Sequence, residues 1–508
     1  MSSPPPLPRQ IPFIIGNEGA ERFSFYGMRN ILQKFLKISL LAYLPTVSAR
    51  EAGATDVFHT FVIGVYFFPL LGGYLSDRWF GKYRTIMWFS LIYAAGQACL
   101  ALFVDSEPGF YTGLFLIALG SGGIKPLVAS FVGDQFDATN KSRAKVVFDA
   151  FYWSINFGSF FASILMPVFL KQLGPRVAFG IPGSLMVIAT LIFWLGRKRY
   201  VNVPPAPPDP DSFLRVCRTA LFAPGPHRWG LVVACVGIAL AGGAFVIDLE
   251  IVPTLCLALV AVIAFGGAGT ALQLERARGN HADAAIDGVR GVLHVLVMFA
   301  FVTPFWSLFD QKATTWVFQA DHMAKPAWFD STQMQALNPA LVMLLIPINN
   351  LVVFPALRKR GFEPTPLRRM TLGIALTGVA WIIVGIMQIQ MDRGYELVIT
   401  WQILPYVFLT AGEVLVSATG LEFAYSQAPQ SMKGVIMSFW LLTTTVGNLW
   451  VLLTNVAFGN DHVLAVIYST GLTAVAFKML FFALFAIAAA TAFGLRARRY
   501  RMLDNYRA

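Results

Sequence analysis

The chain of 508 residues is 56% hydrophobic and only 13% charged, whereas a soluble domain carries about 25% charged residues. This composition excludes an ordinary soluble domain and predicts a polytopic membrane protein. The net charge of +12 does not indicate nucleic-acid binding, because Lys and Arg lie in short clusters between apolar runs. The four cysteines have neither a CxxC pair nor a metal-ligand spacing, so we expect no metal site and no disulfide.

Fourteen apolar runs are each long enough to cross about 30 Å of hydrocarbon as a helix. They lie at roughly 12–44, 56–76, 84–104, 109–129, 144–170, 177–196, 229–247, 251–274, 289–318, 334–356, 369–390, 398–427, 433–457 and 468–495. The segments on the side of the N-terminus hold 27 of the 39 Lys and Arg residues, and the opposite loops hold only 5. We therefore expect a multi-pass all-α protein of the cell (inner) membrane, with both termini in the cytoplasm.

The first apolar run carries an unusual group of charged residues. At about 100° per residue, Glu18, Glu21, Arg22 and Arg29 fall on one face of a helix. Ionisable side chains at membrane depth are costly unless they face protein or a water-filled cavity. Two acids and two bases on one face therefore indicate an internal aqueous site that binds charge or moves protons.

Two glycine-containing segments follow in the next spans. The second inner turn reads GYLSDRWFGKYR (73–84), and the fourth span contains GSGGIKP (120–126). The glycines and the proline favour a helix break or a close helix approach that exposes Lys125 inward. Lys125 and Arg22 would then form a cationic end of a cavity, which suits a carboxylate.

A proline-rich interval divides the chain. Residues 197–228 have the composition of an extended cytoplasmic linker rather than a domain. The segment 229–288 then contains two spans with few polar residues of functional type, and we predict a peripheral hairpin and its linker there. Without the hairpin, six spans remain in 12–196 and six in 289–496. This is the organisation of a two-bundle secondary transporter with a central binding site.

The C-terminal half supplies the complementary charge. It contains FWSLFDQ (305–311), GE (412–413) and GLEFAYSQAP (420–429). Glu413 is an acid within an apolar span, where it suits an ammonium group. Cations in one half and an acid in the other match a zwitterionic substrate.

Taken together, these segments resemble a known family. The turn at 73–84 is similar to the loop motif of the major facilitator superfamily. The segment that begins at Glu18, the segments 120–136 and 151–159 and the C-terminal motifs resemble the signature set of the proton-dependent oligopeptide transporter (POT/PTR) family. The resemblance covers both halves and implies the major facilitator superfamily fold, with two six-helix bundles and here an extra two-helix hairpin.

The resemblance also implies residue roles. In the substrate site, Arg22 and Lys125 would hold the peptide carboxylate, and Trp306 and Trp440 would shape side-chain pockets. The full substrate-binding set would be Arg22, Tyr26, Tyr66, Lys125, Asn156, Trp306, Asn338, Glu413 and Trp440. The proton-coupling residues would be Glu18, Glu21, Asp310 and His59. Arg29 and Asp310 would form a salt bridge that serves as the outer gate.

Three positions leave alternatives open. Phe25 stands where the family usually has a tyrosine, so one cavity hydroxyl is missing. Lys312 follows Asp310 and Gln311 and could compete with Arg29 for Asp310. A lone intramembrane histidine such as His59 is more often a hydrogen-bonded core residue than a proton-coupling residue.

These features predict a proton-coupled symporter that imports di- and tripeptides by alternating access. We expect it to act as a monomer in the lipid bilayer, with no cofactor except protons as the coupling ion and no nucleic-acid partner. The alternative is proton-coupled transport of nitrate or another small anion, but an anion offers no ammonium group to pair with Glu413. A membrane-embedded enzyme is disfavoured, because the chain has no HExxH motif, no ordered Ser/His/Asp grouping and no paired metal-ligand spacing.

Overall fold

The computed structural model describes residues 7–136, 144–205, 209–225, 227–247, 249–427, 432–500 and 502. Within this part of the chain, regular structure is helical, apart from two isolated β-bridges. The helices of the N-terminal half are α1 (Ile11–Phe35), α2 (Val47–Phe67), α3 (Pro69–Leu75), α4 (Lys82–Leu102), α5 (Glu107–Gly133) and α6 (Ala144–Leu195).

The middle of the chain contains a short helix and a helical hairpin, followed by the helices of the C-terminal half. The helices are α7 (Phe213–Phe222), α8 (Trp229–Gly243), α9 (Ile251–Gln273), α10 (Asp283–Ala300), α11 (Thr303–Asp310), α12 (Thr315–Asp321), α13 (Leu337–Ile348), α14 (Phe354–Lys359), α15 (Pro366–Asp392), α16 (Ile403–Gln427), α17 (Lys433–Phe458), α18 (Asp461–Ser469) and α19 (Ala474–Ala497). A 3₁₀ helix, Ser331–Ala336, precedes α13, and another, Leu274–Ala277, follows α9.

Eleven helices of the described part are long and apolar enough to cross a membrane. The count becomes twelve if α10 and the residues Thr303–Asp321, which are bent by 42° relative to each other, form one span. The molecule is therefore a multi-pass helical membrane protein. α6 is unusually long because it continues for 52 residues through Gly174, whose φ of 79° and ψ of 169° are not helical. This break lies between the predicted spans 144–170 and 177–196.

Close contacts divide the chain into two compact units. The first consists of Met1–Ala206, Gln311–Val352 and Glu396–Thr410, and the second of Pro207–Asp310, Val353–Tyr395 and Ala411–Ala508. The units follow spatial contacts rather than chain order. The domain bounds expected from the sequence therefore stay a prediction.

In the first unit, α1 packs along α6 through polar as well as apolar contacts. The Ser24 hydroxyl donates to the carbonyl of Pro182 at 2.7 Å, and the Asn30 amide donates to the Ser163 hydroxyl at 2.5 Å. All four of these groups are buried, and each has a hydrogen-bond partner. None of them therefore carries the penalty of an unpaired polar group. The packing fixes α1 as an interior helix despite its charges.

Glycines allow α5 to approach its neighbours closely. A methyl group on Gly72 of α3 would overlap the carbonyl group of Gly122 in α5. A methyl group on Gly120 or Gly123 would collide with α4 at Tyr93 or Phe89. Small residues are typical of such contacts between membrane helices, because they let the backbones come together. The glycine-rich segment 120–126 therefore serves close packing, one of the two explanations that the sequence offered.

We predict that Gly72→Ala destabilises the protein by about 1–3 kcal/mol, the usual effect of forcing extra atoms into a packed interior. The adjacent Gly73→Ala is the matched control, because a methyl group there meets no atom within 4 Å. Apparent melting temperatures of both purified variants in detergent would test the difference. Equal melting temperatures would show that α3 and α5 are not packed as described.

Candidate functional site

The charged face of α1 is buried inside the first unit. The side chains of Glu18 and Glu21 are fully buried, and Arg22 is 8% exposed. Nε of Arg22 donates to Oε1 of Glu18 at 2.5 Å and lies 3.2 Å from Oε2 of Glu21. One guanidinium group thus sits between two carboxylates, one of which is a helical turn away and the other adjacent in sequence.

The two acids are not saturated by this arginine. Oε2 of Glu18 and both carboxylate oxygens of Glu21 are buried without a hydrogen-bond partner in the described part of the chain. A buried carboxylate without its full set of hydrogen bonds is costly, and binding a proton is one way to relieve that cost. The group therefore has the chemistry of a proton-binding centre that shares one cation.

Lys125 reaches this centre from α5. Its ammonium nitrogen lies 3.7 Å from the ring centroid of Phe25 and 4.7 Å from that of Tyr66. It is also close enough to Glu21 to interact electrostatically. Phe25, which is 2% exposed, therefore offers the ammonium group a ring face, as a tyrosine would, but no hydroxyl.

Two further predicted residues of the N-terminal half, Tyr26 and Asn156, lie on α1 and α6. Tyr26 is half-buried, and its ring packs edge-on against Phe25 with centroids 5.4 Å apart. Asn156 is buried on α6, where its amide donates to the carbonyl of Tyr152 at 3.0 Å. Because α6 packs along α1, the structure places Asn156 on the helix that faces the charged centre.

His59 and Asn338 lie elsewhere in the first unit, and both are hydrogen-bonded in its interior. Nε2 of the fully buried His59 lies 3.2 Å from the hydroxyl of Thr314. The amide of Asn338 donates to the hydroxyl of Thr410 at 3.1 Å. The hydroxyl partner suits both explanations for His59, a core histidine and a proton-coupling residue, so its role stays a prediction.

In the second unit, two tryptophans form an aromatic wall. The rings of Trp306 and Trp440 have centroids 6.2 Å apart and an interplanar angle of 72°. A methyl group on Gly447 would collide with Trp306, and one on Gly420 would overlap Trp440. These glycines therefore make room for the tryptophans. The indole nitrogen of Trp306 is buried without a hydrogen-bond partner in the described residues.

The two acids predicted for the C-terminal half also belong to the second unit. Glu413 is half-buried on α16. Asp310, 3% exposed, accepts a hydrogen bond from the Asn448 amide at 2.8 Å. Arg29 belongs to the first unit, where its guanidinium carbon lies 5.2 Å from the centroid of Phe58. The gate between Arg29 and Asp310 stays a prediction, as does the competition from Lys312, which is buried.

A network of salt bridges that sequence reasoning missed joins the end of α1 and the turn that follows it to α2, to the end of α12 and to the segment before α13. Nζ of Lys34 lies 2.5 Å from Oδ2 of Asp330, and Nζ of Lys37 lies 3.2 Å from Oδ2 of Asp321 and 2.6 Å from Oε1 of Glu51. Lys34 and Asp330 are separated by 296 positions. No local spacing in the sequence indicates such a pair. The only signal is that Lys34 and Lys37 lie within the apolar run 12–44, where charged side chains need partners.

Asp330 also begins the helical segment before α13. Its carboxylate accepts from the backbone amide of Thr332, and the amide of Asp330 donates to the Gln333 side chain in a capping box. Burial alone would raise the pKa of Asp330. The hydrogen bonds from Lys34 and Thr332 and the charge of Lys34 outweigh burial and hold that pKa below the ordinary aspartate value.

The predicted substrate residues do not line the apolar cavity near the hairpin. That cavity, of about 660 Å³, is bordered by α9, α10 and α17, with His294 and Trp450 among its lining residues. The walls of this cavity are mostly apolar side chains. They offer few partners for the polar groups at the two ends of a peptide. The charged centre of α1 in the first unit and the tryptophan wall in the second unit therefore remain the candidate sites, each taken by itself.

Comparisons with known proteins agree on one family. The family model described as "PTR2: POT family" matches residues 83–457. The human protein "Solute carrier family 15 member 1" is 30% identical over 419 residues, which cover 76% of this chain and 52% of that protein. "Peptide transporter family 2" of Caenorhabditis elegans is 35% identical over 411 residues, 76% of this chain and 48% of that protein.

A solved structure is similar over almost the whole chain. The crystal structure of an "auto inhibited POT family peptide transporter" is 66% identical, with a TM-score of 0.96, and the match covers 99% of each chain. By contrast, the chain spans about half the length of the curated relatives it matches.

We predict that Asp330→Asn lowers the free energy of unfolding at neutral pH by about 1.5–3 kcal/mol, the range for hydrogen bonds to charged groups. Asparagine can still cap the helix, so the loss reports the ion pair with Lys34. Because the pKa of Asp330 is lowered in the folded protein, its contribution is complete above the ordinary aspartate pKa. The contribution disappears as the pH falls through the lowered value.

Melting temperatures in detergent at pH 7 and at pH 3 would check this sign. Asp105→Asn is the matched control, because Asp105 and its partner Arg176 are 79% and 69% exposed in their side chains, and such pairs contribute little. The same difference between Asp330→Asn and the unmodified protein at both pH values would contradict the ion-pair explanation.

Proposed function

This chain belongs to the POT family, and on that premise we propose that it is a proton-coupled symporter that imports di- and tripeptides by alternating access. The observation that carries the proposal is the buried group of Glu18, Glu21 and Arg22, with Lys125 beside it. Such a group can hold a carboxylate through its cations and a proton through its acids.

In this mechanism, Arg22 has three possible partners. Without a substrate it is shared by Glu18 and Glu21, as in the structure. A peptide carboxylate would compete for the same guanidinium group, and the acid that loses its partner would be favoured to take a proton. Binding of peptide and binding of proton would thereby favour each other, which is the thermodynamic requirement for coupling.

The second unit would supply the rest of the peptide site. Glu413 would hold the ammonium group, together with Asn156 and Asn338 of the first unit. Trp306 and Trp440 would form apolar walls for side chains, with Tyr26 and Tyr66 near the carboxylate end. Aromatic walls with few fixed polar partners accept many side chains. Two of the proteins named above are peptide transporters by name, the Caenorhabditis elegans relative and the solved structure, which supports peptides over nitrate or another small anion as substrate.

We infer fourteen membrane spans. The twelve counted above gain one more if Gly174 divides α6 into two spans. The fourteenth span would be α1, which is 25 residues long but less apolar than the other spans because of its charged residues. α8 and α9 would then be the extra hairpin. The contacts of Gly230 with Gly269, where an added methyl group would overlap backbone, support a tightly packed hairpin.

We further propose that the protein works as a monomer in the cell (inner) membrane, with both termini in the cytoplasm. The excess of Lys and Arg in segments on the side of the termini supports this orientation. The transport cycle needs no cofactor beyond the proton and no nucleic acid, and no catalytic step on the peptide is included.

Proteoliposomes that contain the purified protein should accumulate labelled dialanine when an inward proton gradient is imposed. A protonophore should abolish the accumulation, because each charge that crosses the membrane provides about 2.3 kcal/mol per 100 mV. Excess unlabelled dialanine should compete, and excess nitrate should not. Uptake that ignores both the gradient and the protonophore would exclude symport, and competition by nitrate alone would support the anion alternative.

Glu21→Gln should abolish gradient-driven uptake of dialanine and leave counterflow exchange intact, because exchange requires peptide binding without net proton movement. Glu422→Gln is the matched control, since Glu422 is an exposed acid on α16. Driven uptake in both variants at the unmodified level would remove Glu21 from the coupling mechanism.

A further inference from the structure

α7 presents a mixed face of basic and apolar residues to its surroundings. Leu214, Arg215, Arg218 and Phe222 are exposed, and at about 100° per residue they fall within one arc of roughly 100°. The exposed fractions of Leu214 and Phe222 are 75% and 66%. The opposite face, made of Phe213, Val216 and Ala220, is buried.

The buried face holds α7 in a defined orientation against the second unit. The Gln273 side chain donates to the carbonyls of Ala220 and Leu221 at 3.0 and 2.8 Å and so caps the end of the helix. The ring of Phe213 packs edge-on against Phe439, with centroids 5.9 Å apart. Burial raises the pKa of the Cys217 thiol to about 11. The exposed face is therefore not free to rotate inward.

The position of α7 along the membrane normal follows from the hairpin. α8 begins at Trp229 and α9 ends at Gln273, so both of these ends lie at the same surface of the bilayer. α7 is bound to that end of α9 through Gln273. Trp229 is 69% exposed, and tryptophan is typical of the boundary between lipid tails and headgroups. α7 consequently lies at headgroup level.

A cavity of about 530 Å³ opens beside the basic residues. It is lined by Arg215, Arg218, Thr219, Phe222, Ala223, Asn280 and His281. His281 fixes one wall, because Nδ1 lies 2.8 Å from Asp211 and Nε2 lies 2.8 Å from the hydroxyl of Thr219. Within the described residues, Arg215 and Arg218 have neither an ion pair nor a side-chain hydrogen bond. Two such guanidinium groups match a phosphate in charge and geometry.

We propose that α7 is an interfacial helix that binds an anionic phospholipid of the bilayer. Arg215 and Arg218 hold the headgroup phosphate in this cavity, and Leu214 and Phe222 enter the acyl-chain region beside it. A helix with basic and apolar residues on its outer face is suited to this position. The site is separate from the residues proposed to bind peptide, so it stands or falls independently of the transport mechanism.

The test is a lipid titration of the full-length protein in neutral detergent, with bound lipid counted by native mass spectrometry. Phosphatidylglycerol should bind at least tenfold more tightly than phosphatidylcholine. Arg215→Gln/Arg218→Gln should weaken phosphatidylglycerol binding by at least tenfold. The matched control is Lys359→Gln/Arg360→Gln, which removes two exposed charges from another turn and should leave the affinity unchanged. Equal binding of the two lipids, or an equal loss in the control, would overturn the proposal.

A second variant separates a lipid from a free anion. Leu214→Ser/Phe222→Ser should weaken the binding of phosphatidylglycerol. Because the arginines remain, inorganic phosphate should compete with the lipid to the same extent in this variant as in the unmodified protein. These residues are exposed, so the fold is expected to persist, and the melting temperature would verify this for both double variants. Unchanged phosphatidylglycerol binding in Leu214→Ser/Phe222→Ser would overturn the interfacial position, and displacement of the lipid by inorganic phosphate at equal concentration would show a free-anion site instead.

Discussion

The first unit depends on one interaction, the sharing of Arg22 between Glu18 and Glu21 in the interior of a membrane protein. An isolated charge at membrane depth is costly, and a buried pair is tolerated only with good geometry and additional hydrogen bonds. Here α6 packs along α1, and Lys125 of α5 lies near the group. The glycines of α5 let that helix pack closely against α3 and α4.

That need also limits what the centre can be made of. A core of well-packed apolar residues would serve stability at least as well as a buried ion group. The presence of the ion group in α1 is therefore better explained by function than by stability. Within the described residues, several of its carboxylate oxygens lack hydrogen bonds. The tryptophan wall of the second unit differs in kind, because it offers apolar surface and one unpaired indole nitrogen.

Sequence reasoning succeeded where a short-range pattern dictates the structure. The spacing of Glu18, Glu21 and Arg22 placed them on one face, and the gap between two apolar runs matched the break at Gly174. It could not find the bond between Lys34 and Asp330, since the pair spans 296 positions and no local periodicity links its members. Likewise, the sequence shows that Phe25 lacks a hydroxyl, but the contact of its ring with Lys125 depends on the direction of the Lys125 side chain, which no local pattern indicates.

The contact between Phe25 and Lys125 has a consequence for how this end of the proposed site responds to its surroundings. A phenyl ring has no ionisable group and no hydrogen-bonding atom, so its attraction for the ammonium group is the same at every pH. The contact with Phe25 therefore does not depend on the protonation of any group on the ring, whereas the electrostatic interaction of Lys125 with Glu21 depends on whether that acid carries its charge.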